Sequence, residues 1–504
     1  MVRTELTQIW RTTAPDRAPL RTSLRWSAPL VLAAALSACS FAPEYQRPES
    51  PVATQWPIPP IGRGIDASGQ QTQAAAGVGW RQFFNEPTLR DLISVALENN
   101  RDLRMAVLNI EAARAQYRIQ RGALAPSVGV GGTGTRQRLP GDLSPSGSAV
   151  ISSQYQVGVS MPAFEIDLFG RVRNLSAAAL AQYLATEETR RSIQIALIAQ
   201  VAETYLNLLA INTQLALVER TLESRQESLG LTQRRFDAGV GSSLELNQAQ
   251  TLLESTRSER QAMLRARAQI LNALALVVGT TELPELPVGP RRFGDTSLLA
   301  DIPVGLNSEV LLARPDVLAA EQRLLSANAN IGAARAAFFP TISLTAMLGT
   351  ASAQLSGLFG GGSMAWSFSP QITAPIFAGG SLRGQLALAE IRKDISIAEY
   401  ERTIQQAFRE VSDALAGTAT YTEQIAAQEA VVAAAQRSRD LSELRYKNGV
   451  DSFLQLQDAE RTLFGAQQQL VQIRLEELQN RVALYKALGG GWVEDSEAPM
   501  VPAR

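Results

Sequence analysis

Histidine is absent from this 504-residue chain, and cysteine occurs only once. Without histidine the chain has no histidine general base, no serine–histidine or cysteine–histidine nucleophile pair and no histidine-ligated metal. A single cysteine forms neither an intrachain disulfide nor a cysteine metal cluster. Carboxylate, lysine and tyrosine chemistry remains open, so these absences argue against an enzyme and against a metal site without closing the question.

An excess of either charge is also missing, since 47 basic and 48 acidic residues give a formal net charge of −1. Nucleic-acid binding normally requires a basic surface, so no nucleic-acid partner is expected. The hydrophobic fraction of 45% is large enough for a folded core.

The lone cysteine stands at the end of a secretory signal. Arginines precede an apolar run over residues 26–36, and the small residues Ser37 and Ala38 then lead to Cys39. This order is typical of a bacterial lipoprotein signal peptide over residues 1–38. We expect Cys39 to carry diacylglycerol and an N-acyl chain as the only covalent group, and to anchor the protein in the outer membrane. The alternative is an inert cysteine near a disordered terminus.

The mature chain is a duplication that follows a proline-rich strap over residues 39–86. RFDAGVGSSLELNQAQTLL from Arg235 matches RYKNGVDSFLQLQDAERTL from Arg445 at a constant offset of 210 residues, and RGALAPSVGV from Arg121 matches RAAFFPTISL from Arg335 at an offset of 214. We predict repeats over 87–289 and 290–490, followed by a tail over 491–504.

Each repeat is predicted to contain a helix, a strand pair, a long helix and a short helix. The first repeat has strands within about 127–163, a long helix over 171–237 and a short helix over 243–278. The second has strands within about 341–376, a long helix over 380–447 and a short helix over 452–488. In the first long helix, apolar spacing by three and four predicts a coiled-coil seam of Val201, Thr204, Leu208, Ile211, Leu215, Val218 and Leu222.

The strands alternate apolar and polar residues, as in Tyr155, Val157 and Val159, and are long enough for a tilted membrane strand. Soluble hairpins are the alternative. Four strands cannot close a barrel, and an open sheet edge in lipid leaves polar groups unsatisfied. Oligomerisation is therefore expected: two chains would give eight strands and three would give twelve, of which only the larger set leaves much bore.

Several segments resemble the outer-membrane factors of tripartite efflux pumps, the TolC- and OprM-like or NodT group. They are CSFAPEYQRP from Cys39, FFNEPTLRDLISVALENNRDL from Phe83, ARPDVLAAEQRLLSANANIGAARAAFFPTISL from Ala313 and PIFAGGSLRG from Pro375. The resemblance covers essentially the whole mature chain. It implies a mainly α fold with a membrane β-barrel sector, in which a homotrimer forms a 12-stranded barrel and a long periplasmic α-helical barrel.

The resemblance also implies a function and its partners. The protein would be a passive outer-membrane duct for small molecules, including antibiotics, and would work with a periplasmic adaptor and an inner-membrane RND pump. The two Gly-Val loops would be tips that dock the adaptor, through Arg235, Gly239, Val240, Arg445, Tyr446, Gly449 and Val450. Leu454 and Asp458 would form the periplasmic gate, with Gln455 where TolC has a further acidic residue.

The alternatives to a small-molecule efflux duct are a protein-secretion duct, a structural lipoprotein and a hydrolase. A duct resembling a type I secretion exporter would carry proteins, but the lipoprotein signal and strap fit the drug-efflux branch better. A structural periplasmic lipoprotein without a pore would have soluble strand pairs. A carboxylate-based hydrolase would need a localised acidic pair, and the sequence provides none in a cleft-like context.

Overall fold

The computed structural model describes residues 41–57, 77–145, 147–284, 286, 298–300 and 307–493. The predicted signal peptide, Cys39 and most of the C-terminal tail lie outside the described residues. The chain divides into two compact units. Of the described residues, the strand unit contains those within 41–43, Arg121–Leu175 and Ala329–Ala387, and the helix unit contains those within Glu44–Gln120, Ser176–Asn328 and 388–493.

Long helices account for most of the described residues. Their bounds are α1 Trp80–Phe83, α2 Pro87–Asn99, α3 Arg101–Gly122, α4 Arg171–Asp237, α5 Ser243–Val278, α6 Pro315–Ala336, α7 Ser381–Lys447 and α8 Phe453–Ala487. Helices α4 and α7 have 67 residues each, which corresponds to about 100 Å at 1.5 Å per residue. Short 3-10 turns lie at Gly141–Leu143, Ser308–Ala313 and Leu355–Gly357.

The first predicted helix is divided at Asn100, whose backbone is extended with ψ 130°. The Asn100 Oδ1 atom accepts a hydrogen bond from the Leu103 amide at 2.9 Å and so caps α3. Its Nδ2 atom donates to the Val277 carbonyl at 2.8 Å, near the end of α5. Because this second bond is to a residue far along the chain, local periodicity gave no signal for the break.

The strand unit contains one antiparallel sheet in the order β1-β2-β3-β4. The strands are β1 Gly129–Leu139, β2 Val150–Ile166, β3 Thr341–Ser352 and β4 Met364–Thr373. Strand β2 has 17 residues and is longer than expected, and its register with β3 shifts between Met161 and Phe164. This irregularity accommodates Pro162, which cannot donate a ladder hydrogen bond.

The register places apolar side chains on one face of this sheet. Val130 pairs with Val159, Val159 with Leu348, and Leu348 with Trp366, so these four residues form one row across the strands. Phe368 follows Trp366 by two positions and shares the face. Trp366 and Phe368 are 72% and 57% exposed, which leaves this face uncovered within a single chain. We call it the apolar face.

The helix unit has its main core where α1 and α2 meet α4, α5 and α8. Trp80, Phe83, Leu92, Tyr205 and Tyr485 are buried together there. The Phe83 and Tyr485 rings stack at 4.0 Å, and the Tyr485 hydroxyl donates to the Val78 carbonyl at 2.6 Å. Helix α4 includes a stretch that is long and apolar enough to cross a membrane, but most of this stretch is buried, so its apolar character belongs to this packing.

The strap lies along the helix unit from Glu44 to Pro57. Arg47 makes a two-pronged ion pair with Glu321 on α6, with both N–O distances 2.7 Å, and Tyr45 donates its hydroxyl to the same carboxylate at 3.0 Å. Trp56 is buried and stacks on Phe408 at 5.1 Å. Charge-assisted and apolar contacts therefore hold this extended, helix-free segment in place.

Candidate functional site

Two helical hairpins form the candidate site, one from each repeat. The first joins α4 to α5 through residues 238–242, and the second joins α7 to α8 through residues 448–452. Gly239 and Gly449 have φ values of 77° and 72°, a left-handed conformation that glycine adopts without strain. Each glycine comes shortly after the end of a long helix and lies in the turn where the chain reverses direction.

The two turns share the same backbone hydrogen bonds. The Val240 amide donates to the Arg235 carbonyl at 3.0 Å, and the Val450 amide donates to the Arg445 carbonyl at 2.9 Å. Val240 and Val450 are 68% and 63% exposed. The turn geometry that the two repeats share therefore presents an apolar side chain to solvent at both tips.

The tips differ in how their arginines are held. Arg445 makes a two-pronged ion pair with Asp451, at 2.7 and 2.9 Å. This hydrogen-bonded pairing lowers the pKa of the Asp451 carboxyl and raises that of Arg445. At the offset of 210 the first repeat has Gly241 in place of Asp451, so Arg235 lacks this partner.

Arg235 instead contacts the second repeat. Its guanidinium carbon lies 4.9 Å from the centroid of the Tyr446 ring, a cation–π contact. Tyr446 is buried in a small cluster with Ala249, Phe453 and Leu456. The Tyr446 hydroxyl is buried without a hydrogen-bond partner within the described part of the chain. This tyrosine therefore joins the two hairpins through its ring.

The short helices begin differently in the two repeats. The Ser242 hydroxyl accepts a hydrogen bond from the Leu244 amide at 3.1 Å and caps α5. Ser452 occupies the same position before α8, but its side chain makes no capping bond. The start of α8 is therefore the less well capped of the two.

Leu454 and Asp458, the residues that the resemblance implies as a gate, both lie in the first two turns of α8. Leu454 is 57% exposed. Asp458 is exposed too and pairs with Arg461 one turn later, at 2.5 Å. The first repeat has Gln248 and Thr251 at the positions of Asp458 and Arg461. A compact acid–base pair thus occurs at only one of the two tips.

Sequence reasoning did not identify Asp451 or Arg461. The spacing of three residues between Asp458 and Arg461 on a helix is a signal that could have found the second pair. Asp451 lies six residues from Arg445 across a turn, a separation that has no such rule. Among the described residues, no group of three or more histidine, cysteine or acidic side chains is arranged to hold a metal ion.

Comparison with known proteins assigns the chain to a family. The family model described as "Outer membrane efflux protein" matches residues 92–280 and 306–490. The chain is 48% identical over 466 residues to the toluene efflux pump outer membrane protein TtgC of Pseudomonas putida, covering 92% of this chain and 95% of that one. It is 45% identical over 468 residues to the outer membrane protein OprJ of Pseudomonas aeruginosa, with 92% and 95% covered.

A solved structure supports the same assignment. The open state of the MtrE outer membrane channel of Neisseria gonorrhoeae superposes with a TM-score of 0.81 at 38% identity, and the match covers 91% of this chain and 100% of that one. The long helices, the four-stranded sheet and the hairpin tips are thus those of a TolC-like fold. The chain belongs to the outer membrane efflux protein family and is an outer-membrane efflux channel.

Proposed function

We propose that three copies of this chain form the exit duct of a tripartite pump, which passes small molecules passively out of the cell. The observation that carries the proposal is the open four-stranded sheet, in which β1 and β4 each pair on one side only. In lipid, each unsatisfied edge group costs several kcal/mol, about as much as a lost hydrogen bond in hydrocarbon. Three chains of four strands close a barrel of twelve.

The apolar face supports a membrane position for these strands. Val130, Val159, Leu348 and Trp366 form an uninterrupted row across the sheet. The opposite face carries Gln156, Ser160, Ser343, Thr345, Ser367 and Ser369, which suit a water-filled lumen. Alternation of lipid-facing apolar and lumen-facing polar residues is the pattern of a transmembrane β-barrel.

The anchor and the tips have separate proposed roles. Cys39 carries the lipid, and the ring of Phe41, two residues later, stacks on Phe339 at 4.6 Å, so the described chain is held in place from Phe41 onward. The exposed Val240 and Val450 at the tips contact the adaptor, which links the duct to an inner-membrane RND pump. We propose no catalytic role for this chain, in keeping with its membership of an efflux-channel family.

The proposed gate is formed by Leu454 and Asp458 in three copies around the axis. Leu454 supplies an exposed apolar side chain, and Asp458 supplies a carboxylate four residues along the same helix face. Rings of acidic side chains favour cations, so the narrow end should prefer cations when it conducts. Apolar or amphiphilic molecules are the proposed cargo, in keeping with the toluene pump named for the TtgC relative.

Two variants in β4 test the barrel. Phe368 and Ser369 are adjacent, so their side chains lie on opposite faces of the sheet. F368K places a charge on the lipid side, which costs about 2–4 kcal/mol near the bilayer midplane, whereas S369K places it in the lumen. We expect F368K to lose the heat-sensitive trimer on unboiled gels, and S369K to keep the trimer and shift conductance towards anions. Equal behaviour of the two variants, or a wild-type protein that forms no trimer and no conductance, would contradict the duct.

A further inference from the structure

The four strands hold only three charged residues: Arg136 and Arg138 on β1, and Glu165 on β2. Glu165 lies at the end of β2 next to α4 and is paired with Arg171 at 2.5 Å. Arg136 and Arg138 lie at the opposite end of the sheet, close to the loop at 140–149. Both are exposed, and neither side chain makes a hydrogen bond or ion pair with another described residue. The loop end of β1 therefore carries two uncompensated positive charges.

The register places both arginines on the apolar face. Arg136 pairs with Ser153 and Arg138 with Ile151, at even steps from the pair of Val130 and Val159. At about 3.4 Å per residue, Arg136 lies ~20 Å and Arg138 ~27 Å along the strand from Val130. The apolar band of a membrane barrel is about 25 Å tall. Because barrel strands tilt by about 35–45°, these distances correspond to heights of roughly 16 and 21 Å along the membrane normal, so the two guanidinium groups lie near the loop end of that band.

Between the apolar rows and the arginines lies an aromatic residue, Tyr155. It pairs with Gly134, and a Cβ atom at Gly134 would lie 3.2 Å from the Tyr155 ring, so the ring covers this glycine on the apolar face. Towards the loop end of the β1–β2 pair, the residues on this face change from Val130 on β1 to Tyr155 on β2 and then to the two arginines on β1. Apolar, aromatic and basic residues in this order mark the boundary between hydrocarbon and headgroups.

We propose that Arg136 and Arg138 form a binding site for the phosphate groups of a glycolipid in the outer leaflet. This inference rests on the proposed membrane barrel. A guanidinium presents paired N–H donors that match phosphate oxygens. Two guanidinium groups spaced two residues apart on one face can bind one phosphorylated headgroup.

The neighbouring strand would not neutralise these charges. Closing the barrel brings β4 of the next copy beside β1, and neither β4 nor the loop at 353–363 contains a charged residue. The loop at 140–149 contains one acid, Asp142, against two arginines. The subunit boundary therefore has a net positive outer rim, and each trimer has three such sites.

The test measures lipid binding to the purified wild-type trimer by native mass spectrometry. The probes are diphosphorylated lipid A, enzymatically dephosphorylated lipid A and inorganic phosphate. R136Q/R138Q removes the site, R136K/R138K keeps the charge without the paired donors, and R114Q/R118Q removes two exposed helix α3 charges as the matched control. At roughly 1 kcal/mol per basic residue near an anionic surface, we expect about 30-fold weaker binding for R136Q/R138Q. The lysine variant should lie in between, and the control should match the wild type.

Three results would overturn the site. They are equal binding of phosphorylated and dephosphorylated lipid, wild-type binding by R136Q/R138Q, and full competition by inorganic phosphate, which would indicate a free-phosphate site. Failure of the membrane barrel itself is read separately, from Trp366. The fluorescence of Trp366 is the part of the wild-type signal that is lost in W366F. If the apolar face contacts lipid, brominated acyl chains quench this fluorescence. The measurement does not depend on the arginines.

Discussion

Asn100 and Arg314 make the same long-range bond in the two repeats, although they are different residues. The Asn100 Nδ2 atom donates to the Val277 carbonyl at 2.8 Å, and the Arg314 guanidinium donates to the Ala487 carbonyl at 2.6 Å. Their positions differ by 214 residues and those of the acceptors by 210, the same two offsets that relate the repeats. Each side chain ties the start of one helix to the end of another and fixes where the duplicated helices meet.

Loss of either tie should destabilise the helix unit, to different degrees. Arg314 is buried and also bonds Asp316 at 2.7 Å and Glu410 at 2.9 Å, so R314M leaves two acids without their partner and costs about 3–5 kcal/mol. N100A leaves one carbonyl and one helix start unsatisfied and costs about 2–3 kcal/mol. N99A, which loses only a bond within its own helix, is the control and should stay within about 0.5 kcal/mol. Denaturant unfolding of the detergent-solubilised protein measures the stability of all three variants. Equal losses of stability in the three would contradict the role of the two long-range bonds.

At the proposed gate, selectivity should follow the Asp458–Arg461 pair. D458A removes the acid and leaves Arg461 unpaired, so the cation preference of the channel in planar bilayers should fall and conductance should rise. R461A leaves Asp458 unpaired and should raise the cation preference, by about twofold or more at low salt, where screening is weak. Q248A, at the equivalent place in the first repeat, is the matched control. If D458A and Q248A both conduct like the wild type, Asp458 is not at the constriction.

Tyr446 should act through its ring and not through its hydroxyl. Its hydroxyl is buried without a partner in the described chain, and the first repeat has Phe236 at the same position. Y446F should therefore change stability by less than about 0.5 kcal/mol, whereas Y446A empties the cluster and should cost about 3–5 kcal/mol. F236A, at a residue 40% exposed, serves as the control and should cost less. Thermal unfolding measures the stability of all three variants. A large loss of stability in Y446F would indicate that the Tyr446 hydroxyl makes a hydrogen bond.

Stability should depend on pH through Glu203. Burial raises the pKa of this carboxyl, and the nearby Lys486 only partly opposes the shift. A carboxyl whose folded pKa is raised contributes stability that is complete below its unfolded pKa, about 4.3, and is lost as pH rises through the folded value. E203Q should match the wild type at pH 4 and exceed its melting temperature at pH 7. An E203Q variant that melts lower at pH 7 would show that the ionised form is favoured.

Attachment of the strap should depend on Glu321. This carboxylate is nearly buried, with its side chain 10% exposed, and receives both Arg47 and Tyr45. E321Q weakens these bonds by about 1–2 kcal/mol, so amides over residues 44–57 should exchange roughly tenfold faster with deuterium. E309Q, on an exposed residue, should leave exchange unchanged. Unchanged exchange in E321Q as well would mean that Trp56 and the Ser308 bonds to the Ala53 and Thr54 carbonyls hold the strap without Glu321.

The sequence was most informative where structure depends on local spacing. The bounds predicted for the long helix at 171–237 agree with α4, because helical periodicity and the left-handed Gly239 are local signals. The seam within that helix was less accurate: Val201, Leu208 and Val218 are buried, but Thr204 is not. Tyr205 and Leu206 are buried instead, since the core contacts of α4 come from several neighbours and not from one coiled-coil partner.

Features that depend on distant partners escaped prediction. The break at Asn100 requires Val277, and the ring contact of Arg235 requires Tyr446 in the other repeat. The two arginines at the rim of the sheet were visible as residues, but their side of the strand became clear only when the pairing of Arg136 with Ser153 set the register. A one-residue slip would have placed them on the opposite face.

The ion pair between Arg445 and Asp451 has a consequence for symmetry. Six hairpins around a trimer would approximate a sixfold ring, and two fully alike repeats would make all six equivalent. Because Gly241 replaces Asp451 in one repeat, and a Cβ at Gly241 would lie 2.9 Å from the Phe236 nitrogen, the first turn cannot accept the same acid without shifting. In the proposed trimer the ring would keep only threefold symmetry, and a partner with six identical contact elements would bind at two chemically distinct kinds of position in alternation.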